Sequence, residues 1–232
     1  MLNVKNIAVI GSAGGIGKAF VHVLSRQYPN AHLYSFSRTA GYQIDYTREE
    51  SISEAANIAS STGPLDLVIV TNGMLHNQEI MPEKSIKELS REKFQQLFEV
   101  NTIVPALIAK YFLPHLTHDN TSVFAALSAG VSSITGNQLG GWYAYRASKI
   151  ALNMIIKNAS IEMRRRNKNA IIVGLHPGTV DTELSRPFHR NVPAEQLLTP
   201  HQSVEKLMEI IVSLTPAQSG QCFAWDGTEI LP

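Results

Sequence analysis

Two residues with the chemistry of an acid/base pair, Tyr145 and Lys149, lie four positions apart in the stretch YRASK, at the start of a long apolar helical pattern. Residues four apart share one face of a helix, so both side chains should point toward one site. A phenol ionises at pH ~10 in water, and a nearby ammonium favours the phenolate and lowers that pKa. We therefore expect Tyr145 to pass a proton to or from a carbonyl or alcohol oxygen, with Lys149 tuning it. Tyr143 has Ala147 instead of a lysine four positions on, and we interpret it as packing or pocket wall.

The elements that would hold this pair alternate between strand and helix. The predicted strands are NIAVIG, HLYSFS, YQID, DLVIVTNG, TSVFAALS, NAIIVGLHPG and GQCFAWDG. One helix is predicted after NIAVIG, and the others over residues 53–60, 92–116, 145–166 and 203–213. Strands that are apolar on both faces predict a parallel sheet with helices on both sides, and 232 residues fit a single domain. Ligands of such α/β sheets bind beyond the carboxyl ends of the strands.

A glycine-rich turn, IGSAGGIGKAF, follows the first predicted strand. Gly11 can make the tight turn, Gly15 lets a pyrophosphate approach the backbone, and Gly17 allows close packing of helix on strand. The N-terminus of the following helix favours an anion. The turn therefore predicts dinucleotide binding, with Ser12 and Ile16 as further residues of the cofactor site.

The end of the second predicted strand, FSRT, indicates which dinucleotide binds. A carboxylate there would suit the ribose hydroxyls of NAD, whereas an arginine would pair with the 2′-phosphate of NADP. The chain has Ser37 and Arg38 at this place and no carboxylate. We therefore predict NADP rather than NAD; the alternative is that Arg38 is a solvated loop residue.

Asn101 lies inside the predicted helix 92–116, four residues before Pro105. Proline has no N–H and cannot bond the carbonyl of the residue four positions earlier. We therefore expect the Asn101 carbonyl to be free and the helix to kink there.

The glycine turn, Asn101 in FEVNT and the YRASK stretch together resemble the short-chain dehydrogenase/reductase family over nearly the whole chain. LSAGVSSI, GGWYAYRASKIALNM and HPGTVDTELSRP are similar to the subgroup with the C-factor signalling proteins and the sniffer-type carbonyl reductases. The resemblance implies a Rossmann-type doubly wound parallel sheet and an NADPH-dependent carbonyl reductase. It also implies that Lys149 holds the nicotinamide ribose and that the Asn101 carbonyl holds a water linking the lysine to solvent.

The catalytic serine has two candidate registers. The family pattern usually puts it thirteen residues before the tyrosine, at Ser132, whereas the carboxyl end of the predicted strand TSVFAALS is Ser128. We predict Ser128, because its hydroxyl would project from the end of a rigid strand; Ser132 and Ser133 remain alternatives. The family usually has two adjacent serines here, and Ala129 occupies the second place.

Further cofactor positions are implied by the resemblance. Those beside the nicotinamide are Pro177, Gly178, Val180 and Thr182 in HPGTVDT. Asp45 would accept a hydrogen bond from the adenine amine, although it could equally be an N-cap or turn residue. Gly73 matches the family's N-N-A-G pattern and Asn72 does not, so we expect only backbone contact to the adenine ribose there.

Composition excludes several other classes of protein. The net charge is +1 and the basic residues are scattered, which argues against nucleic-acid and membrane-surface binding. A single cysteine, Cys222, permits no intrachain disulfide, so we expect a cytoplasmic protein. The eight histidines show no metal-ligand spacing, and no metal is predicted.

The sequence also leads us to expect a lid, an oligomer and an alternative function. Residues 183–200, rich in turn formers, would form a lid over a small carbonyl or alcohol substrate. The family implies a homodimer or homotetramer. The alternative function is a signalling or regulatory protein, like the C-factor proteins, that keeps the dinucleotide site but turns over little or nothing.

Overall fold

A seven-stranded, wholly parallel sheet forms the centre of the computed structural model, which describes residues 4–193 and 196–232. The strands are β1 Asn6–Ile10, β2 His32–Ser37, β3 Tyr42–Gln43, β4 Leu67–Val70, β5 Ser122–Leu127, β6 Ala170–His176, β7 Thr179–Val180, β8 Leu197–Leu198 and β9 Cys222–Ala224. The sheet order is β3-β2-β1-β4-β5-β6-β9, and β7 pairs with β8 separately. The order reverses direction between β1 and β4, which is where α/β sheets bind ligands.

The strands are buried on both faces because their side chains alternate between two apolar cores. In β1, Ile7 and Val9 enter one core while Ala8 and Ile10 enter the other. Strand β4 is buried at every position. Helices cover both faces, which confirms the predicted doubly wound α/β fold.

The α-helices are α1 Gly15–Gln27, α2 Glu49–Ala59, α3 Arg91–Phe98, α4 Val104–Phe112, α5 Tyr143–Arg166 and α6 Pro200–Ser213. Helices α1 and α6 pack on one face of the sheet, and α2, α4 and α5 pack on the other. Helix α6 begins earlier than predicted because Thr199 and Gln202 form a reciprocal capping box ahead of the apolar pattern. Helix α2 also begins earlier than predicted, at Glu49.

Helical structure runs without a break from Arg91 to His115, close to the predicted 92–116, and it is irregular around Asn101, where the sequence predicts a kink. A π-helical turn, Glu99–Ile103, separates α3 from α4, and the amide of Val104 donates to the carbonyl of Glu99, five residues back. Pro105 lies in the first turn of α4, where its missing N–H is tolerated. Pro105 therefore lies where the hydrogen-bonding pattern changes from π-helical to α-helical. Prolines and π-helical turns are both common causes of irregular helices. The run Arg91–His115 is apolar enough to span a membrane, but half of its most apolar window is buried, as in a core helix.

Candidate active site

Two glycines of the glycine turn, Gly11 and Gly17, occupy positions with no room for a side chain. Gly11 has φ +87°, and a Cβ atom there would lie 2.5 Å from Thr71 Oγ1. A Cβ atom on Gly17 would lie 2.2 Å from the carbonyl oxygen of Gly11. These two glycines therefore allow the tight turn and the close packing of α1 on β1.

The N-terminus of α1 is suited to an anion. Its N-cap, Gly14, offers no side-chain hydrogen bond, and the first turn carries no acidic residue. The first N–H groups of a helix have no intrahelical partner and, together with the helix dipole, favour negative charge. Gly15 presents no side chain at this end, so the site fits the pyrophosphate of a dinucleotide.

The two serines predicted beside the cofactor use their hydroxyls within the protein. Ser12 donates to the carbonyl of Phe36 at 3.0 Å. Ser37 donates to the carbonyl of Ala40 at 2.6 Å and accepts from the amides of Thr39 and Ala40. Both serines therefore shape the turns that surround the glycines. Arg38, the next residue, is exposed, and Ile16 is half-buried.

Asp45 forms a local turn. Its carboxylate accepts from the amide of Thr47 at 2.9 Å and from the Thr47 hydroxyl at 2.7 Å. These hydrogen bonds lower the pKa of Asp45. Both hydrogen bonds use Oδ1, so Asp45 is a turn residue here, and its role as an adenine ligand stays a prediction.

Asn101 joins the loop after β4 to α5. Its side chain donates to the carbonyl of Met74 at 2.8 Å and accepts from the Met74 amide at 2.8 Å. It also donates to the Ser148 hydroxyl at 3.0 Å, and Ser148 donates to the carbonyl of Tyr145 at 2.8 Å. A Cβ atom on Gly73 would lie 3.6 Å from Lys149 Nζ and 3.8 Å from Asn101 Oδ1. The predicted residues Asn101, Tyr145 and Lys149 are thus assembled around the carboxyl end of β4.

The expectation that Lys149 lowers the pKa of Tyr145 is wrong for this structure. Lys149 is buried, and its Nζ donates to the carbonyl of Leu127 at 2.8 Å. Burial lowers the pKa of Lys149 to about 8 and raises that of Tyr145 to about 12. Tyr145 lies in an apolar cluster with Leu75 and Ala129, which disfavours the phenolate. The Tyr145 phenol is therefore held in its neutral form.

The serine candidates are held by a residue that the sequence analysis missed, Asn153. Ser128 donates to Asn153 Oδ1 at 2.6 Å, and Asn153 Nδ2 donates to Ser132 at 2.8 Å. Ser132 donates onward to the carbonyl of Ala129 at 2.6 Å. Ser133 accepts from the Gly136 amide at 2.9 Å, within its own loop. The Ser128 hydroxyl proton is thus directed at Asn153. The spacing could have indicated Asn153, which follows Lys149 by four residues on the same helix face.

An aromatic cluster covers Tyr145. The Trp142 ring centroid lies 6.1 Å from that of Tyr145 and 4.9 Å from that of Phe188. The His76 ring lies 5.7 Å from Phe188, and its Nε2 is 3.0 Å from the carbonyl of Leu184. Leu184 and Phe188 belong to the segment predicted as a lid, of which residues 194 and 195 lie outside the described residues. Trp142, Phe188 and His76 had no sequence signal.

Of the cofactor residues predicted after β6, Thr182 lies against the glycine turn. A Cβ atom on Gly15 would be 2.8 Å from Thr182 Cγ2. Val180 is buried, and the carbonyl of Pro177 accepts from the Ser203 hydroxyl at 2.7 Å. Gly178 has φ +80°, and its missing side chain leaves space for Trp225. Both features restrict the conformation of the loop after β6.

Glu83 is a second residue that the sequence analysis missed. It is fully buried, and its Oε2 accepts from the Ala144 amide at 3.3 Å, in the first turn of α5. Its own carbonyl accepts from the Trp142 amide. Three consecutive residues before α5, Gly140, Gly141 and Trp142, have φ of +65°, +65° and +51°. Glu83 therefore holds the left-handed entry to the helix that carries Tyr145.

No cluster of three or more His, Cys, Asp or Glu side chains suited to a metal occurs within residues 4–193 and 196–232.

Comparisons with known proteins show the family and the fold of this chain. The family model described as short chain dehydrogenase matches residues 5–193. C-signal of Myxococcus xanthus is 30% identical over 169 residues, which cover 73% of this chain and 93% of that protein. A 1-hydroxy-2-glutathionyl-2-methyl-3-butene dehydrogenase of Rhodococcus sp. (strain AD45) is 28% identical over 228 residues, 92% of this chain and 95% of that protein.

Two solved structures share the fold over essentially the whole of both chains. NADPH-bound carbonyl reductase from chicken fatty liver has a TM-score of 0.84 at 22% identity and covers 100% of each chain. Carbonyl reductase Sniffer of D. melanogaster has a TM-score of 0.78 at 21% identity, covering 99% of this chain and 100% of that one.

Proposed function

Because this chain belongs to the short chain dehydrogenase family, we propose that it is an NADPH-dependent carbonyl reductase whose proton donor is Tyr145. One observation carries the proposal. Tyr145 is buried and neutral, beside Lys149 and Asn101 and at the edge of the sheet that carries the glycine turn. A neutral phenol in an apolar pocket is the form that a reductase needs to protonate a carbonyl oxygen.

Each residue of the site has a proposed role. When NADPH is bound, its nicotinamide supplies the hydride. Tyr145 donates a proton to the substrate oxygen. Lys149, whose pKa lies at about 8, can hold or release a proton near neutral pH and also binds the nicotinamide ribose. Asn101 fixes the loop after β4 against α5 and anchors a proton path through its backbone carbonyl. Ser128 is proposed to bind the substrate oxygen, which requires its hydroxyl to turn from Asn153.

We propose NADP rather than NAD as the cofactor. Arg38 is exposed at the end of β2, where it can pair with a 2′-phosphate, and the strand end carries no carboxylate. Structures that share the fold were solved with NADPH or NADP bound. Gly11, Gly15 and Gly17 would hold the pyrophosphate, and Pro177 to Thr182 would face the nicotinamide.

The proposed partners are a small carbonyl or alcohol substrate and further copies of this chain, as a homodimer or homotetramer in the cytoplasm. Met154 and Ile161 on α5 are 60% and 43% exposed, which supports a contact between helices of two subunits.

The test is NADPH oxidation by the purified protein with a panel of aldehydes and ketones. We expect turnover with at least one carbonyl compound and a loss of about 100-fold or more in Tyr145→Phe, with the Kd for NADPH unchanged. Tyr28→Phe, at the far end of α1, is the matched control and should behave as wild type. Equal turnover by Tyr145→Phe would contradict the assignment.

A signalling or regulatory role is the second candidate. The observation that favours it is Ala129, which brings an apolar side chain where the family usually has a second serine, together with the 30% identity to C-signal. Tight NADPH binding without turnover on any carbonyl compound would support this role over the reductase.

A further inference from the structure

The amide of Asn153, on α5, lies between two serines that follow β5. The Ser128 hydroxyl donates to Asn153 Oδ1 at 2.6 Å, and Asn153 Nδ2 donates to Ser132 Oγ at 2.8 Å. The Ser132 hydroxyl donates in turn to the carbonyl of Ala129 at 2.6 Å. Both serines are buried. The hydrogens of this hydrogen-bonded chain therefore all point one way, from Ser128 toward Ala129.

This direction leaves Ser128 with only lone pairs to offer a substrate. A hydroxyl has one hydrogen, and that of Ser128 is directed at Asn153. A carbonyl oxygen is an acceptor as well, so the two oxygens could not bond to each other. The Cys222 thiol also lies beside Ser128, but burial raises its pKa to about 12 and keeps it protonated, and a thiol sulfur is a weak acceptor. Carbonyl reduction therefore requires a different direction of the chain.

A half-turn of the Asn153 amide supplies that direction, because it exchanges the oxygen and the nitrogen. Nδ2 would then donate to Ser128 and release its hydrogen toward the substrate, while Oδ1 would accept from the Ser132 hydroxyl. The Ala129 carbonyl would keep the backbone amide of Ser132, which donates to it at 3.0 Å. Every polar group of the chain would keep a partner, so the reversal carries no penalty for an unpaired buried group.

The helix face that carries Asn153 also carries the rest of the proposed chemistry. Tyr145, Lys149 and Asn153 follow one another at intervals of four residues on α5. The amine of Lys149 donates to the carbonyl of Leu127 at 2.8 Å, and Asn153 accepts from the next residue, Ser128. The end of β5 is thus held at two successive residues by two successive turns of the helix that bears the phenol.

We propose that Asn153 is a positioning residue whose amide turns over to convert Ser128 from a hydrogen-bond acceptor into a donor for the substrate oxygen. The inference rests on the proposed carbonyl reduction and on Ser128 as the serine that binds the substrate. The alcohol product has a hydroxyl hydrogen of its own and can donate to Ser128, so the chain returns to the direction seen in the structure when the reaction is complete.

Two substitutions of Asn153 separate this role from a structural one. Asn153→Asp keeps the shape, but a carboxylate only accepts, so it holds the Ser128 hydrogen permanently. Its kcat should fall about tenfold or more, as for a lost oxyanion donor. Asn153→Ala leaves the Ser128 hydroxyl free to donate and should lower kcat only about threefold, because that side chain is no longer held. A structural amide would give the opposite order, since alanine removes both of its hydrogen bonds.

The experiment measures kcat and KM for NADPH-dependent reduction of the best carbonyl substrate, together with the Kd for NADPH and Tm. The Kd for NADPH should be that of the wild type in both variants. In a Ser128→Ala background, either substitution of Asn153 should change kcat less than about twofold, because Asn153 acts through that serine. Asn158→Asp, at an exposed position on the same helix, is the matched control and should behave as wild type.

A loss in Asn153→Ala that equals or exceeds the loss in Asn153→Asp would overturn the proposal. So would a loss in Asn153→Asp that persists in the Ser128→Ala background, because the new charge would then act on Lys149. If Asn153→Asp does not fold, a loss in Asn153→Ala as large as that in Ser128→Ala overturns the proposal, and a loss of about threefold supports it.

The same measurements distinguish this inference from the proposed reaction. If the wild type reduces a carbonyl compound and Ser128→Ala does so at the full rate, the role of Asn153 falls and the reduction stands. If the wild type reduces no carbonyl compound, both fall.

Discussion

Ala129 and Tyr145 lie in the same buried apolar cluster, so the residue after Ser128 brings a methyl group to the proton donor where a hydroxyl would be expected. Ser128, the residue before Ala129, donates its hydroxyl hydrogen to Asn153 Oδ1 at 2.6 Å. The proposed hydrogen bond from Ser128 to the substrate oxygen would therefore compete with its hydrogen bond to Asn153.

We predict that Ser128→Ala lowers turnover at least tenfold, because loss of a donor to the developing oxyanion slows such reactions by this much or more. Adding Ala129→Ser to that variant should recover part of the rate by placing a hydroxyl in the Tyr145 cluster. Full turnover by Ser128→Ala would show that the assignment is wrong, and a loss confined to Ser132→Ala or Ser133→Ala would transfer the role to that serine. Initial rates with NADPH and the best carbonyl substrate supply the measurement.

Lys149 should make stability depend on pH. Burial lowers its folded pKa to about 8, from an ordinary 10.5, so the unfolded chain binds more protons between these values. The free energy of unfolding should therefore rise with pH across that window, by about 3 kcal/mol. The measurement is urea denaturation from pH 7 to pH 10.5 of the wild type against Lys149→Met, which should lack the rise. A constant gap between the two proteins would mean that the Lys149 pKa is ordinary.

Arg38 should discriminate between the two cofactors. Arg38→Ala should raise the Kd for NADPH about ten- to hundredfold, the value of a hydrogen bond to a charged group, and leave NADH unchanged. Arg91→Ala, at the start of α3, removes the same charge elsewhere and serves as the control. If the wild type binds NAD and NADP equally, or if Arg38→Ala weakens both alike, the choice of NADP is wrong.

Phe188 should shield Trp142, since their ring centroids are 4.9 Å apart. The chain has two tryptophans, so a Trp225→Phe background leaves Trp142 as the only indole fluorophore. In that background, Phe188→Ala should shift the emission to the red and increase acrylamide quenching. Leu139→Ala, at a side chain that is 92% exposed, should change neither. Unaltered quenching in Phe188→Ala would contradict the packing of the lid on Trp142.

Glu83 should matter to α5 through its position at the start of the helix. A carboxylate at a helix N-terminus stabilises it, and losing such a cap is worth about 1 kcal/mol. Glu83→Ala should lower the free energy of unfolding by at least that much and reduce kcat, because Tyr145 follows the capped amide by one residue. Glu83→Gln keeps an acceptor for the Ala144 amide and should lose less. Equal stability of both variants and the wild type in urea would exclude the capping role.

The fold can be predicted from the sequence more completely than the contacts within the candidate site. Strands such as NIAVIG and DLVIVTNG are apolar on both faces, as the structure requires of strands between two cores. The glycines of the turn lie where the backbone leaves no room for a side chain. Both features can therefore be predicted from the sequence. The YRASK spacing correctly places Tyr145 and Lys149 on α5.

Contacts between distant segments could not be predicted. The amine of Lys149 binds the Leu127 carbonyl, and Glu83 reaches α5 from sixty-one residues away. Neither partner is visible in local spacing, and desolvation depends on how tightly the loops close over Tyr145. The YRASK spacing predicts a lowered pKa for Tyr145, whereas burial raises it, because desolvation is the dominant effect at this phenol.

The π-helical turn Glu99–Ile103 changes the direction in which the side chains after it point, relative to those before it. Each residue advances an α-helix by about 100°, so a turn with one extra residue re-aims everything that follows. Helix α3, before it, packs mainly on α5, whereas α4, after it, packs on α2, the sheet and, less extensively, α5. One nearly continuous rod thereby presents two differently oriented faces, one to the active-site helix and the other to the core. Deleting a single residue within Glu99–Ile103 would rotate α4 relative to α3. Only one of the two helices could then keep its present packing.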